Sequence, residues 1–157
     1  DGGWPPAYQN YVAEGFNVPL DGLQAALLLV KLTRLKSWTA RRREIAATLE
    51  AGLRDTPVTT PRFRPESAPT FRSYAIRSDR QLELHEGLRQ AGIEAVIHYA
   101  PPVYRYQVYA DAFPNREQLP VTEMLSRQVV NLPVTPELTD DEVNYMIGTV
   151  QQLLGVE

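Results

Sequence analysis

The chain has 157 residues, a net charge of −3, no cysteine and thirteen prolines. That length encloses one ordinary core, the missing cysteines remove disulfides, thiolate metal sites and a cysteine nucleophile, and the charge argues against a broad surface for nucleic acid. No apolar run is long enough to cross a bilayer, because Ala25 to Val30 is soon interrupted by Lys31 and Arg34, and nothing at the N-terminus resembles a signal peptide.

Residues 1–14 mix glycine, proline and aromatics without a period, so they read as an irregular lead-in. The opening on Asp1 rather than methionine fits a piece of a longer polypeptide. From Asp21 the pattern turns helical, with Leu20, Leu23, Leu27 and Val30 at intervals of three and four, continued by Trp38, Ile45, Leu49 and Leu53. Asp21 and Gln24 form a capping-box-like start. Such a helix is long for a globular domain, bends near Ser37 and Trp38, and is expected to bridge two parts of a larger molecule. Arg41, Arg42 and Arg43 read as a solvated helix face in preference to a phosphate-binding patch.

The proline-rich passage 57–69 predicts a loop. A strand follows over 71–77, then a helix over 79–92 ended by Gly92, and a second strand over 93–98. Residues 99–109 read as a proline- and aromatic-rich loop, with His85 on a helix surface and Phe71, Tyr74, Tyr106 and Tyr109 serving packing. A helix over 120–128 leads into a strand over 129–132. Thr139 then caps a helix opening on Asp140, Asp141 and Glu142, whose acids suit the helix dipole. Three short strands with helices predict a layered α+β unit within the α/β class. The expected organisation is a lead-in and turn over 1–19, a long helix over 20–55 and a small domain over 56–157.

Four stretches, in order, resemble one family. They are Gly15-Phe16-Asn17-Val18-Pro19-Leu20-Asp21-Gly22-Leu23-Gln24-Ala25-Ala26, Arg41-Arg42-Arg43-Glu44-Ile45-Ala46, Gly92-Ile93-Glu94-Ala95-Val96-Ile97-His98-Tyr99, and Leu132-Pro133-Val134-Thr135-Pro136-Glu137-Leu138-Thr139-Asp140-Asp141-Glu142-Val143. Together they are similar to the signatures of the DegT/StrS aminotransferases, which use pyridoxal 5'-phosphate (PLP) to aminate keto sugars. The resemblance implies the C-terminal part of a fold type I enzyme: a long interdomain helix followed by the small domain. It also implies a homodimer or a large-domain partner, a cytoplasmic setting, a nucleotide-linked keto sugar and an amino-acid donor such as glutamate.

Residue by residue, the resemblance makes Asn17 cofactor-binding, reaching across a dimer interface to the phosphate of the neighbouring PLP. An amide can donate to phosphate oxygen, and an Asn equally tolerates an unusual turn, so the residue type alone leaves both roles open. His98, Tyr99 and Tyr104 are the candidate substrate-binding residues, bordering the active-site mouth; a histidine ending a strand is more often structural. Pro19 stands where many members carry Arg, and Tyr104 where many carry His. The family's Schiff-base lysine precedes the first stretch, whereas the only lysines here are Lys31 and Lys36, which read as solvated helix residues. No catalytic residue is therefore assigned, and the chain by itself is expected to be inactive. Two distant histidines make no metal site, and glycine-rich phosphate loops and serine elbows are missing. The remaining alternatives are a non-catalytic fragment, a split-gene half that pairs with a large-domain partner, and a regulator on the same scaffold.

Overall fold

The computed structural model describes residue 15, residues 19–109, residue 112 and residues 119–156. Asn17 lies outside the described residues. In chain order the elements are α1 (Gly22–Leu32), α2 (Leu35–Gly52), β1 (Tyr74–Arg77), α3 (Gln81–Gln90), α4 (Pro120–Ser126), β2 (Val129–Leu132) and α5 (Asp140–Leu154). Two single 3-10 turns, Val103–Arg105 and Gln107–Tyr109, lie between α3 and α4.

The long helical pattern is two helices. Asp21 caps α1 by accepting the Gln24 N–H at 2.8 Å, and the first helix stops at Thr33 and Arg34, ahead of the expected bend at Ser37 and Trp38. Thr33 Oγ1 donates to the Val30 carbonyl at 2.7 Å, competing with the backbone for that acceptor, and the next helix begins at Leu35. The two halves differ in what they bury. In α2, Ile45, Ala46 and Leu49 enter the core, whereas α1 buries no residue and leaves Leu23, Leu27 and Val30 at 74%, 60% and 70% exposure.

α5 starts with a complete capping box: Thr139 accepts the Glu142 N–H, and the Glu142 carboxylate accepts the Thr139 N–H at 2.8 Å. The backbone and side-chain hydrogen bonds from Thr139 hold the Glu142 carboxyl below its ordinary range. Val143, Met146, Ile147 and Val150 face inward, and α5 packs against both α2 and α3. At the α2 contact the chains approach so closely that a Cβ on Gly52 would lie 2.6 Å from Ile147 Cδ1.

β1 and β2 form a two-stranded antiparallel sheet in the register Tyr74 with Leu132, Ala75 with Asn131, Ile76 with Val130 and Arg77 with Val129. Alternation then gives the sheet two faces. Tyr74, Ile76, Val130 and Leu132 join the helices in the core, all at 2% exposure or less. The third strand expected over 93–98 contributes one bridge, Val96 to Asn131, because turns at either end leave no room for a ladder. His98 shows why: its N–H goes to the Asn131 side chain rather than to a backbone carbonyl.

Two surface expectations change. Arg41 donates to the Leu138 carbonyl and to Asp140, Arg42 to the Phe71 carbonyl, and Arg43 to the carbonyls of Pro69 and Ala68. The arginine run is thus neither a free solvated face nor a phosphate patch; its fork-shaped donors satisfy carbonyls of a proline-rich segment that has no ladder of its own. His85 is half-buried rather than on the surface, and burial pushes its pKa down, against a raising hydrogen bond to the Ala95 backbone. Phe63, Phe71 and Tyr74 stack edge to face and tilted, as packing aromatics do.

Candidate functional site

The second face of the sheet is the floor of an open cavity of about 410 Å³. Ala75 and Arg77 from β1 and Val129 from β2 form that floor, since they alternate with the core residues. One wall is the segment Thr59, Thr60 and Pro61; Thr59 exchanges both backbone hydrogen bonds with Arg77, at 2.9 and 3.0 Å, covering the free edge of β1. The opposite wall is α4, through Thr122, Leu125 and Ser126, and the rim is His98 and Tyr99.

A half-buried network sets the first wall. Glu50 on α2 accepts from Tyr74 Oη at 2.5 Å and from Thr60 Oγ1 at 3.1 Å. Burial and the adjacent Glu50 carboxylate push the Tyr74 phenol well above its usual value, so it stays a neutral donor.

The rim is organised by Asn131, which lies in a strand otherwise apolar and is 6% exposed. Its backbone exchanges hydrogen bonds with Val96, its Oδ1 accepts the His98 N–H at 3.0 Å, and its Nδ2 donates to Ser73 Oγ at 3.1 Å. A buried amide so fully used fixes where the His98 backbone sits. The ring is fixed by Arg72, whose Nη1 lies 3.2 Å from His98 Nδ1. A guanidinium only donates, so Nδ1 accepts and the ring proton belongs on Nε2. His98 therefore offers an N–H donor on the side away from Arg72. The Tyr99 ring stacks on the imidazole at 4.8 Å between centroids and is 71% exposed.

Tyr104 is placed differently. It is buried, does not line the cavity, and donates through Oη to Glu123 Oε1 at 2.7 Å; Arg105 Nε donates to the same oxygen at 2.5 Å. Glu123 belongs to α4, so this contact ties the loop that follows Tyr99 to the opposite cavity wall. Burial raises the Tyr104 phenol, reinforced by Glu123. For Glu123 burial also raises the carboxyl, but the hydrogen bonds from Arg105 and Tyr104 outweigh it and hold the group below its ordinary range.

The structure thus brings His98 and Tyr99 to one cavity and sets Tyr104 behind the loop. Residues that sequence reasoning passed over are Asn131, Arg72, Arg77 and Glu123. Only Asn131 carried a readable signal, a polar residue inside Val129-Val130-Asn131-Leu132. Neither lysine is at the cavity: Lys31 and Lys36 are exposed on α1 and α2. The cavity's own side chains therefore hold no group that could anchor PLP covalently. Among the described residues no cluster of three or more His, Asp or Glu could hold a metal ion, and no helix is long and apolar enough to cross a membrane.

A two-stranded sheet with helices over one face and a polar-rimmed cavity on the other defines an α/β small domain of the fold type I PLP aminotransferase kind. Residues 3–151 match the DegT/DnrJ/EryC1/StrS aminotransferase family, and the chain belongs to it. It is 36% identical over 146 residues to the erythromycin biosynthesis sensory transduction protein EryC1 of Saccharopolyspora erythraea, covering 91% of this chain and 40% of that protein. It is 33% identical to the dTDP-3-amino-3,4,6-trideoxy-alpha-D-glucose transaminase of Streptomyces venezuelae, covering 91% and 38%. Among solved structures, that of S. venezuelae DesV in complex with a ketimine intermediate superposes with a TM-score of 0.82 at 33% identity, over 97% of this chain and 41% of that one. The chain spans about two fifths of the length of the curated relatives it matches.

Proposed function

We propose that this chain is the C-terminal part of a PLP-dependent aminotransferase that moves an amino group from an amino acid to a nucleotide-linked keto sugar, in a cytoplasmic homodimer. The observation that carries the reading is the cavity on the outer sheet face, rimmed by His98 and Tyr99, in a chain of this family. PLP in the complete enzyme supplies the electron sink for the amino-group exchange. The lysine that anchors it lies outside this chain, which alone is inactive.

The residues here bind and orient. His98 donates from Nε2 to a hydroxyl or phosphate oxygen of the sugar substrate, and the exposed Tyr99 ring stacks on it or donates to it. Tyr104 serves the substrate by holding the loop of His98 and Tyr99 through Glu123. Asn17 donates to the phosphate of the neighbouring subunit's cofactor. Residues 20–55 connect the two domains and 56–157 form the small one; the wholly exposed apolar surface of α1 supports this, because a monomer rarely leaves such a patch uncovered.

The test is the intact mass of the polypeptide in its native source, together with glutamate-dependent amination of a keto-sugar nucleotide. A PLP-bearing species more than twice 17.7 kDa that transaminates, and loses substrate affinity with His98→Ala, is expected. A native species of 17.7 kDa without transaminase activity would remove the reading. It would favour a regulator on the same scaffold, which the name of the EryC1 relative, a sensory transduction protein, also suggests.

A further inference from the structure

The floor of the cavity holds a charge that no carboxylate among the described residues answers. Arg77 shares the outer face of β1 with Ala75, and its backbone N–H and C=O are both engaged by Thr59. Its side chain is half-buried, and among the described residues no carboxylate lies within ion-pair distance of it. The other partly buried arginines are used: Arg41 meets Asp140, Arg42 holds backbone carbonyls and Arg105 meets Glu123, whereas Arg34, Arg54, Arg62, Arg64 and Arg89 are exposed to solvent. A partly buried guanidinium with five N–H donors and no carboxylate beside it is a ready partner for an anion that enters the cavity.

The surroundings point the same way. Among the described residues no acidic one lines the cavity, although the whole chain carries a net charge of −3. At the rim His98 presents an Nε2–H donor, and Thr59 and Thr122 are among the residues that line the walls. Leu125 and Val129 provide apolar surface that lowers the local dielectric and strengthens a charge-assisted hydrogen bond.

We propose that Arg77 is the anion-binding residue of this cavity, its fork of N–H donors taking a phosphate or carboxylate oxygen of a small-molecule ligand. The proposal rests on reading this cavity as the substrate-facing one. A nucleotide-linked sugar brings a diphosphate and an amino-acid donor brings a carboxylate, and both present the same acceptor geometry to Arg77.

The experiment is amide NMR of the 157-residue chain titrated separately with thymidine diphosphate, thymidine and L-glutamate. Saturable shifts at Thr59, Arg77 and Val129 with thymidine diphosphate but not thymidine identify the phosphate source; shifts with L-glutamate identify the carboxylate source. Arg77→Gln is expected to weaken the responding anion by about tenfold or more, the loss of a charge-assisted contact, and Arg77→Lys to restore part of it. Because the side chain points away from the core, the same spectra verify that each variant is folded. Absence of saturable shifts with either anion, an equal response to thymidine, or undiminished binding by Arg77→Gln overturns the proposal. Arg77-dependent anion binding in a protein whose native form does not transaminate removes the proposed function alone, and transamination with an Arg77→Gln KM unchanged for both substrates removes this inference alone.

Discussion

Replacing Glu123 should loosen the cavity rim without unfolding the domain. The carboxylate is 17% exposed and one of its oxygens receives both Tyr104 Oη and Arg105 Nε, the latter from a side chain 25% exposed. Glu123→Ala leaves a buried phenol without its acceptor, at about 1–3 kcal/mol, and takes one charge-assisted hydrogen bond from the Arg105 guanidinium, at about 1.5–3 kcal/mol, so about 3 kcal/mol is expected. Glu123→Gln keeps a neutral acceptor and should cost about half that. The effect falls on the loop rather than the core, because Glu123 faces the 3-10 turns and touches none of the core side chains through these bonds. Hydrogen exchange reads it directly at the amides of Arg105, Tyr106 and Tyr109, which donate to Pro102, Val103 and Tyr106. At about 1.4 kcal/mol per factor of ten, Glu123→Ala should speed their exchange about a hundredfold and Glu123→Gln about tenfold. The core amides of Ile76 and Val130 should hardly change. Unaltered loop exchange, or equal acceleration in loop and core, refutes the clamp.

The same contact predicts a pH dependence. The Glu123 carboxyl is held below its ordinary value of 4.5, so its contribution is fully present above that pH and is lost as pH falls through the depressed value; loop exchange corrected for intrinsic rates should rise below about pH 4.5 in the wild type and not in Glu123→Gln. Leu49→Ala, at a fully buried position of α2, should destabilise the chain by about 2–5 kcal/mol in urea unfolding, and a loss below 1 kcal/mol would contradict its place in the core. Thr139→Ala removes the α5 cap and should cost about 1 kcal/mol in the same measurement. Leu27→Glu and Val30→Glu on the exposed surface of α1 should reduce binding of a hydrophobic dye while leaving the unfolding midpoint nearly unchanged; a large drop in midpoint would show that α1 is buried after all.

Much of this fold follows from local pattern. The Asp21 and Thr139 caps, the stop of α3 at Gly92, and the inward faces of α2 and α5 each arise from residues within a few positions of one another, whose hydrogen bonds and periodicity are properties of a short segment. The break at Thr33 was less legible, since it depends on a single hydroxyl competing for one carbonyl. The strand expected over 93–98 had the right composition, but Asn131 captures the His98 N–H with its side chain and leaves only Val96 in a bridge.

The candidate site divides along the same line. His98 and Tyr99, which line the cavity, were singled out in the sequence as candidates because they end a recognisable motif, and the family to which residues 3–151 belong was already indicated by four ordered stretches. Arg77, Arg72 and Glu123 were silent, because an arginine or glutamate in a sequence does not reveal what it faces. Register alone put Arg77 on the outer sheet face, and packing alone gave Arg105 a carboxylate and, among the described residues, set none beside Arg77. Segment chemistry, which acts over a turn or two, was determined by the sequence; the pairing of charges across many residues was decided by the tertiary structure, because it depends on which side chains the folded backbone brings within a few ångströms.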